Sequence, residues 1–152
     1  MFSRKTVIKE IFDSHPDAIF ITNTGYISRA VYSEYPNNKN IFYMQGSMGL
    51  APCIGLGMAL NTHKDIVILS GDASLLMHLG ITLTIADQML NNIWLYVLAN
   101  GCHESVGGFE CSDISNVELK GVDKVFVISN EGKEDRVGLD CKLNTKQIKE
   151  LF

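Results

Sequence analysis

The sequence of 152 residues carries a net charge of −4, with 46% hydrophobic and 20% charged residues. This length and composition indicate one globular domain, residues 1–152, rather than a disordered chain. Lysine and arginine are scattered and form no basic stripe, which argues against a nucleic-acid partner. No apolar run reaches the roughly 20 residues that span a bilayer, and no signal peptide is evident. We therefore expect a cytoplasmic protein with no membrane partner.

Helix-like and strand-like segments alternate along the chain. The predicted helices are Arg4–Phe12, Tyr26–Tyr35, Leu50–Leu60, one long helix through Leu75–Leu90, and Thr145–Phe152 with Asn144 or Thr145 as its cap. The predicted strands are Ala18–Thr22, Ile41–Met44, Ile66–Leu69, Ile93–Leu98 and Val125–Ile128. Continuous apolar strands between helices predict an α/β fold of three layers, in which helices cover both faces of a parallel sheet.

The segment Leu50–Leu60 is rich in glycine and alanine. Such a helix gives up intrinsic stability so that another backbone can approach it closely. Two interpretations remain open: the helix lines an interface or a cofactor, or it is a tightly packed internal helix.

Two polar residues, Asp72 and Asn100, follow the carboxyl ends of two predicted strands that flank one helix. Ligands of parallel α/β sheets bind at these strand ends. A carboxylate and an amide oxygen are hard ligands that suit magnesium. A helix begins after Asp72, and a helix N-terminus attracts anions, so the pattern predicts a cation with a bound diphosphate. The alternative is that Asp72 only caps this helix and that Asn100-Gly101 is only a turn.

Several short sequence motifs resemble those of one family of enzymes. The stretch from Gly71-Asp72-Ala73-Ser74 to Asn100-Gly101 resembles the thiamine-diphosphate signature. GSMG (46–49), GLGMAL (55–60), GDASLLMHLG (71–80), NGCHESVGG (100–108) and TGYISRAVY (24–32) resemble phosphonopyruvate decarboxylase and the sulfopyruvate decarboxylase beta subunit. The resemblance implies the diphosphate-binding (PP) domain of a thiamine-diphosphate-dependent decarboxylase, with its C-terminal part shortened.

The resemblance also implies roles for single residues. Magnesium would be bound by Asp72, the Asn100 side chain and the Cys102 carbonyl. Met48 would lie under the bent cofactor, and Gly46 would offer its carbonyl to the aminopyrimidine. The implied cofactor-binding residues are Gly46, Ser47, Met48, Gly71, Asp72, Ala73, Ser74, Asn100 and Cys102, and the implied catalytic residues are His103 and Met48.

Local interpretations of two of these residues stay open. Met48 is alternatively a core methionine. His103 could relay a proton or meet an anionic substrate tail, or it could be a loop histidine with local hydrogen bonds.

Thiamine enzymes of this type also need a pyrimidine-binding (Pyr) domain, which supplies an activating glutamate. No glutamate of this chain lies in a matching context, and Met1 closely precedes the first helix. We therefore expect a separately encoded subunit that is inactive alone. It would need a Pyr-domain alpha chain within a homo- or hetero-oligomer, and its substrate would be a small anionic 2-oxo acid, phosphonopyruvate or sulfopyruvate.

The sequence departs from the family pattern at several points. Ala73 replaces a glycine, which requires a negative φ; Ala99 replaces an asparagine; and Phe109-Glu110-Cys111 replaces Gln-Pro-Thr. Glu110 adds negative charge where an anionic tail could approach, and the segment between Cys111 and Lys124 is short. The alternative functions are therefore a non-catalytic or diverged cofactor-binding subunit and an unrelated nucleotide-binding module.

Overall fold

A computed structural model describes residues 1–152. The helices are α1 (Arg4–Ser14), α2 (Tyr26–Glu34), α3 (Ala51–Ala59), α4 (Asp72–Leu76), α5 (Ile81–Gln88) and α6 (Cys141–Lys149). The strands are β1 (Ile19–Thr22), β2 (Ile41–Tyr43), β3 (Ile66–Gly71), β4 (Ile93–Ala99), β5 (Cys102–His103), β6 (Phe109–Glu110) and β7 (Lys124–Val127). None of the helices combines the length and apolar character needed to cross a membrane.

Five strands form one parallel sheet in the order β2-β1-β3-β4-β7. Successive side chains of a strand point to opposite faces, so the apolar strands contribute side chains to two separate cores. Phe20, Val67 and Leu69 pack with α1 and α2 on one face. Ile21 and Ile68 pack with α3, α5 and α6 on the other. The predicted parallel sheet between two helical layers is thus confirmed.

The register of β3 and β4 brings their carboxyl ends to the same level. Gly71, the last residue of β3, lies opposite Leu98, so Asp72 and Asn100 leave the sheet side by side. The connection from β4 to β7 contains the short β5–β6 hairpin and no α-helix. This matches the shortened C-terminal part that the sequence predicted.

The single long helix predicted through Leu75–Leu90 is wrong. The chain forms α4 and α5 instead, and the turns between them are closed by i→i−3 hydrogen bonds, such as His78 N to Leu75 O and Ile81 N to His78 O. This tighter winding shifts the apolar face, because tighter turns change the angle between successive side chains. Leu83 is consequently exposed, while Thr82 is buried.

The predicted start of the terminal helix is also wrong, as is its predicted cap. Asp140 is the cap, and its side chain accepts hydrogen bonds from the amides of Lys142 and Leu143. Asn144 is instead buried: it accepts from Tyr43 N at 2.9 Å and donates to Ile41 O at 2.7 Å. It therefore satisfies backbone groups of the edge strand β2, a contact between residues about a hundred positions apart.

The close packing expected of the glycine-rich helix α3 occurs inside the domain. A methyl group added at Gly55 would overlap Ile68 Cδ1 and would lie 2.6 Å from its Cγ1. Gly55 thus lets α3 settle directly on the centre of the sheet. Gly57 on the same helix has no atom within 4 Å of such a methyl group.

This difference predicts opposite effects for one substitution at two positions. Gly55→Ala should lower the free energy of unfolding by about 1–3 kcal/mol, because the methyl group must displace the buried Ile68. Gly57→Ala should raise it by roughly 0.5–1 kcal/mol through better helix propensity. Urea denaturation measures both, and a stabilising Gly55→Ala would contradict the packing described here.

Candidate functional site

The carboxylate of Asp72 joins the ends of two strands. The residue is only 3% exposed. Its Oδ2 accepts a hydrogen bond of 2.7 Å from Gly101 N, just beyond β4, and its Oδ1 accepts one of 2.8 Å from Ala73 N. Asp72 is the first residue of α4 and Gly71 is the cap, so the interpretation of Asp72 as a helix cap is wrong.

The amide of Asn100 is held in one orientation. Its Nδ2 donates to Glu104 Oε2 at 3.1 Å and to Asn130 Oδ1 at 2.8 Å, while its Oδ1 accepts weakly from Cys102 N at 3.3 Å. The turn at Asn100-Gly101 is real, with Gly101 at a φ of 76°. Asn100 is therefore a turn residue whose side-chain oxygen is held in a fixed orientation.

One cleft of about 230 Å³ collects most of the residues that the sequence singled out. Its wall includes Met48, Gly71, Asp72, Ala73, Ser74, Asn100, Cys102 and His103. Ala73 does not have a positive φ, so alanine fits the position where the resemblance expects glycine. Gly46 and Ser47 are exposed and are not part of the cleft wall.

The loop that carries Met48 is bonded to the α4 segment. Gly49 N donates to Ser74 Oγ at 3.0 Å, and Gly49 has a φ of 90°. Ser47 also has a positive φ, of 53°, which is uncommon for a residue with a side chain. These features hold the half-buried Met48 at the cleft.

Sequence reasoning did not single out several polar residues of the cleft. Arg4, Asn23, Tyr26, Arg29 and Ser105 all line it. Two of their atoms are buried without a hydrogen-bond partner: Arg4 Nη1 and Asn23 Oδ1. Asn23 directly follows β1, and its place at a strand end was the signal that could have identified it.

Two thiols, those of Cys102 and Cys111, lie near Asp72. Burial raises the pKa of the Cys102 thiol, and the charges of Glu104 and Asp72 raise it further. Burial raises the pKa of Cys111 to about 11, with the charge of Asp72 as the next cause. Both thiols are therefore protonated at neutral pH. The oxygen atoms of Asp72 and Asn100 are hard ligands of the kind that suits magnesium.

The two glycines of the 46–49 loop should respond differently to substitution. A methyl group at Gly49 would lie 2.8 Å from Ser74 O, at a φ that alanine avoids, so Gly49→Ala should cost roughly 1–3 kcal/mol of unfolding free energy. Gly46→Ala meets no atom within 4 Å and should change it by less than about 0.5 kcal/mol. Equal thermal midpoints for the two variants would count against the described loop.

The chain is similar to proteins of known name. It is 38% identical over 122 residues to the sulfopyruvate decarboxylase beta subunit of Methanothermobacter thermautotrophicus, covering 80% of this chain and 65% of that one. It is 32% identical over 142 residues to the beta subunit of Methanococcus maripaludis, covering 90% and 76%. It is 41% identical over 93 residues to phosphonopyruvate decarboxylase of Streptomyces hygroscopicus, covering 61% and 23%. The chain thus spans only part of each relative's length.

A solved structure described as a thiamin diphosphate-dependent enzyme of Mycobacterium smegmatis superposes with a TM-score of 0.64. The match has 22% sequence identity and covers 76% of this chain and 24% of that chain, so it supports the fold. The family model of the thiamine pyrophosphate enzyme C-terminal TPP binding domain matches residues 22–127. The chain belongs to this thiamine-pyrophosphate-binding family.

Proposed function

We propose that this chain, as a single domain, binds the diphosphate end of thiamine diphosphate through Mg²⁺, as one subunit of a 2-oxo-acid decarboxylase. The observation that carries the proposal is the 2.7 Å hydrogen bond between Gly101 N and Asp72 Oδ2. This bond fixes the carboxylate beside the turn that presents Asn100. The membership of the family supports the choice of cofactor.

The oxygen donors of the cleft fit a magnesium ion. A carboxylate has about four acceptor positions, and Asp72 uses two of them for Gly101 N and Ala73 N. One oxygen of Asp72 and the Asn100 Oδ1 would serve as ligands, with the Cys102 carbonyl as a third. Magnesium takes few protein ligands and completes its octahedron with phosphate oxygens and water.

The remaining residues of the cleft would hold the cofactor. Gly71, Ala73 and Ser74 form the wall next to Asp72 and would face the diphosphate. Met48 would support the bent cofactor, and the exposed Gly46 and Ser47 would offer backbone groups to the pyrimidine. When bound, thiamine diphosphate supplies a nucleophilic carbon and an electron sink for decarboxylation.

His103 would act on the substrate side of the cleft. It is half-buried and lies on the cleft wall, where an imidazole can move a proton or bind an anionic group. Arg29 lines the same cleft and stacks over Tyr26, with its guanidinium carbon 5.0 Å from the ring centroid. Glu110 is not part of the cleft wall, so its charge does not face an anionic substrate there.

The chain would work with a second subunit in the cytoplasm. Two of its relatives are named beta subunits, which supports an alpha chain carrying the Pyr domain and the activating glutamate. Glu104 is the one glutamate of the cleft wall, and both its oxygens already accept hydrogen bonds. By analogy with the named relatives, the substrate would be sulfopyruvate or phosphonopyruvate, and the complex a hetero-oligomer.

A second candidate function is a diverged subunit that binds the cofactor without catalysis. The observation that favours it is the connection between β4 and β7, which is short and contains no α-helix. Turnover by the assembled complex separates the two candidates, because both predict the same cofactor site.

Removing one charge tests the proposed magnesium site. We expect Asp72→Asn to weaken magnesium-dependent binding of thiamine diphosphate by about 10- to 100-fold, because a neutral amide is a poorer magnesium ligand than a carboxylate. Asp87→Asn makes the same chemical change on the exposed surface of α5 and should leave binding unchanged. Isothermal calorimetry with magnesium and thiamine diphosphate measures both, and unchanged binding by Asp72→Asn would refute the proposed site.

The need for a partner is testable by activity. We expect no release of carbon dioxide from sulfopyruvate or phosphonopyruvate by the purified chain, because it lacks the activating glutamate. Coexpression with a Pyr-domain alpha chain should restore turnover. A coupled assay of carbon dioxide checks both arms, and rapid turnover by the single chain would contradict the proposal.

A further inference from the structure

The carboxylate of Glu104 accepts hydrogen bonds from four donors. Its Oε2 accepts from Arg4 Nη2 at 2.6 Å and from Asn100 Nδ2 at 3.1 Å. Its Oε1 accepts from Glu131 N at 3.1 Å and from Gly132 N at 2.9 Å. The side chain of Glu104 is 14% exposed and that of Arg4 is 1% exposed, so the pair is largely shielded from water.

These contacts decide which atom of Asn100 remains free. Both hydrogens of its Nδ2 are used, one by Glu104 Oε2 and one by Asn130 Oδ1. A flipped amide would press its oxygen against these two acceptors, which is unfavourable. The flip is therefore disfavoured, and Oδ1, which accepts only a 3.3 Å bond from Cys102 N, keeps capacity for a cation.

We propose that Glu104, together with Asn130, is a positioning residue that directs the Asn100 carbonyl oxygen toward the magnesium ion. This inference rests on the proposed function, in which Asn100 is a ligand of that ion. Partners that orient a ligand in this way commonly change metal affinity when they are replaced. Glu104 touches neither the ion nor the cofactor in this scheme and acts through Asn100.

The Glu104 carboxylate also stabilises the fold, and the experiment must separate this structural effect from its effect on magnesium binding. Its bond to Arg4 ties α1 to the cleft, and its bonds to residues 131 and 132 tie down the segment after β7. Glu104→Gln, with its oxygen kept on the two backbone amides, would turn Nε2 toward Arg4 and Asn100. Both of these contacts would then place one donor against another.

Exchanging the amide of Asn100 with the carboxylate of Glu104 restores the hydrogen bond between these two side chains but not the contact with Arg4. In the double variant Asn100→Asp with Glu104→Gln, the Gln Nε2 can donate to the carboxylate at position 100. Asn130 can accommodate the change by rotating its own amide. Arg4 still lacks the carboxylate of Glu104, so the structural loss remains while the orientation of the ligand returns.

The experiment measures two quantities on each purified variant: magnesium affinity in the presence of thiamine diphosphate, by calorimetry, and the urea midpoint. We expect Glu104→Gln to weaken magnesium binding about tenfold or more and to lower the midpoint. The double variant should bind magnesium at least several-fold more tightly than either Glu104→Gln or Asn100→Asp alone, while its midpoint stays low. Non-additivity of this kind reports direct interaction between the two side chains.

Two further variants complete the design. Glu134→Gln makes the same chemical change near the same arginine, with Glu134 Oε1 lying 3.7 Å from Arg4 Nη1, and it does not touch Asn100. It should leave magnesium affinity unchanged. Asn130→Ala removes the other acceptor of Asn100 at an exposed position, so it should weaken magnesium binding several-fold without lowering the urea midpoint. It supplies a test even if Glu104→Gln does not fold.

The possible outcomes distinguish this inference from the function on which it rests. Wild-type affinity in Glu104→Gln or in Asn130→Ala, or a double variant that binds no better than the single variants, overturns the positioning role. Magnesium binding by Asp72→Asn equal to that of the wild type overturns the proposed site, and the positioning role falls with it.

Discussion

The candidate site depends on one buried carboxylate shared by two strand ends. Asp72 is almost fully buried, and a buried charge is costly unless it is hydrogen-bonded. The amides of Gly101 and Ala73 supply those bonds, and they come from the segments that follow β4 and β3. Because these two strands pair in parallel with their ends level, the bond requires no distortion of the sheet. The geometry of the cleft thus follows from strand register and one side chain.

Much of the sheet was predictable because burial on both faces leaves a direct pattern in the sequence. Each of the five strands of the main sheet was predicted to within one or two residues, since runs such as Ile66–Leu69 contain no polar interruption. The break between α4 and α5 was not predictable from spacing, because leucines continue across it. The hydrogen bonds that tighten residues 77–82 are local, but they leave no mark in an apolar pattern.

The site was predictable in part for a similar reason. Asp72 and Asn100 follow recognisable strands, so their meeting needs only the topology of the sheet. Arg4 and Glu104 meet across a hundred positions of sequence, and Glu104 reaches the amides of residues 131 and 132 through the same tertiary arrangement. No periodicity or spacing relates these segments. A lone arginine in an N-terminal helix predicts a solvated surface, whereas Arg4 is buried at the cleft.

Some of the buried polar atoms that lack a hydrogen-bond partner belong to the cleft. Of the four buried side-chain atoms without a hydrogen bond, Arg4 Nη1 and Asn23 Oδ1 belong to residues of the cleft. An unmet buried acceptor such as Asn23 Oδ1 costs roughly 1–3 kcal/mol, whereas Arg4 Nη1 keeps an ion-pair contact of 3.7 Å with Glu134 Oε1. A bound group that accepts from the guanidinium and donates to the amide would offset this cost. In the part of the cleft around Asp72, the polar groups are hydrogen-bonded and fix the shape of the cleft. In the part around Arg4 and Asn23, polar atoms that lack a hydrogen-bond partner favour the binding of a polar group.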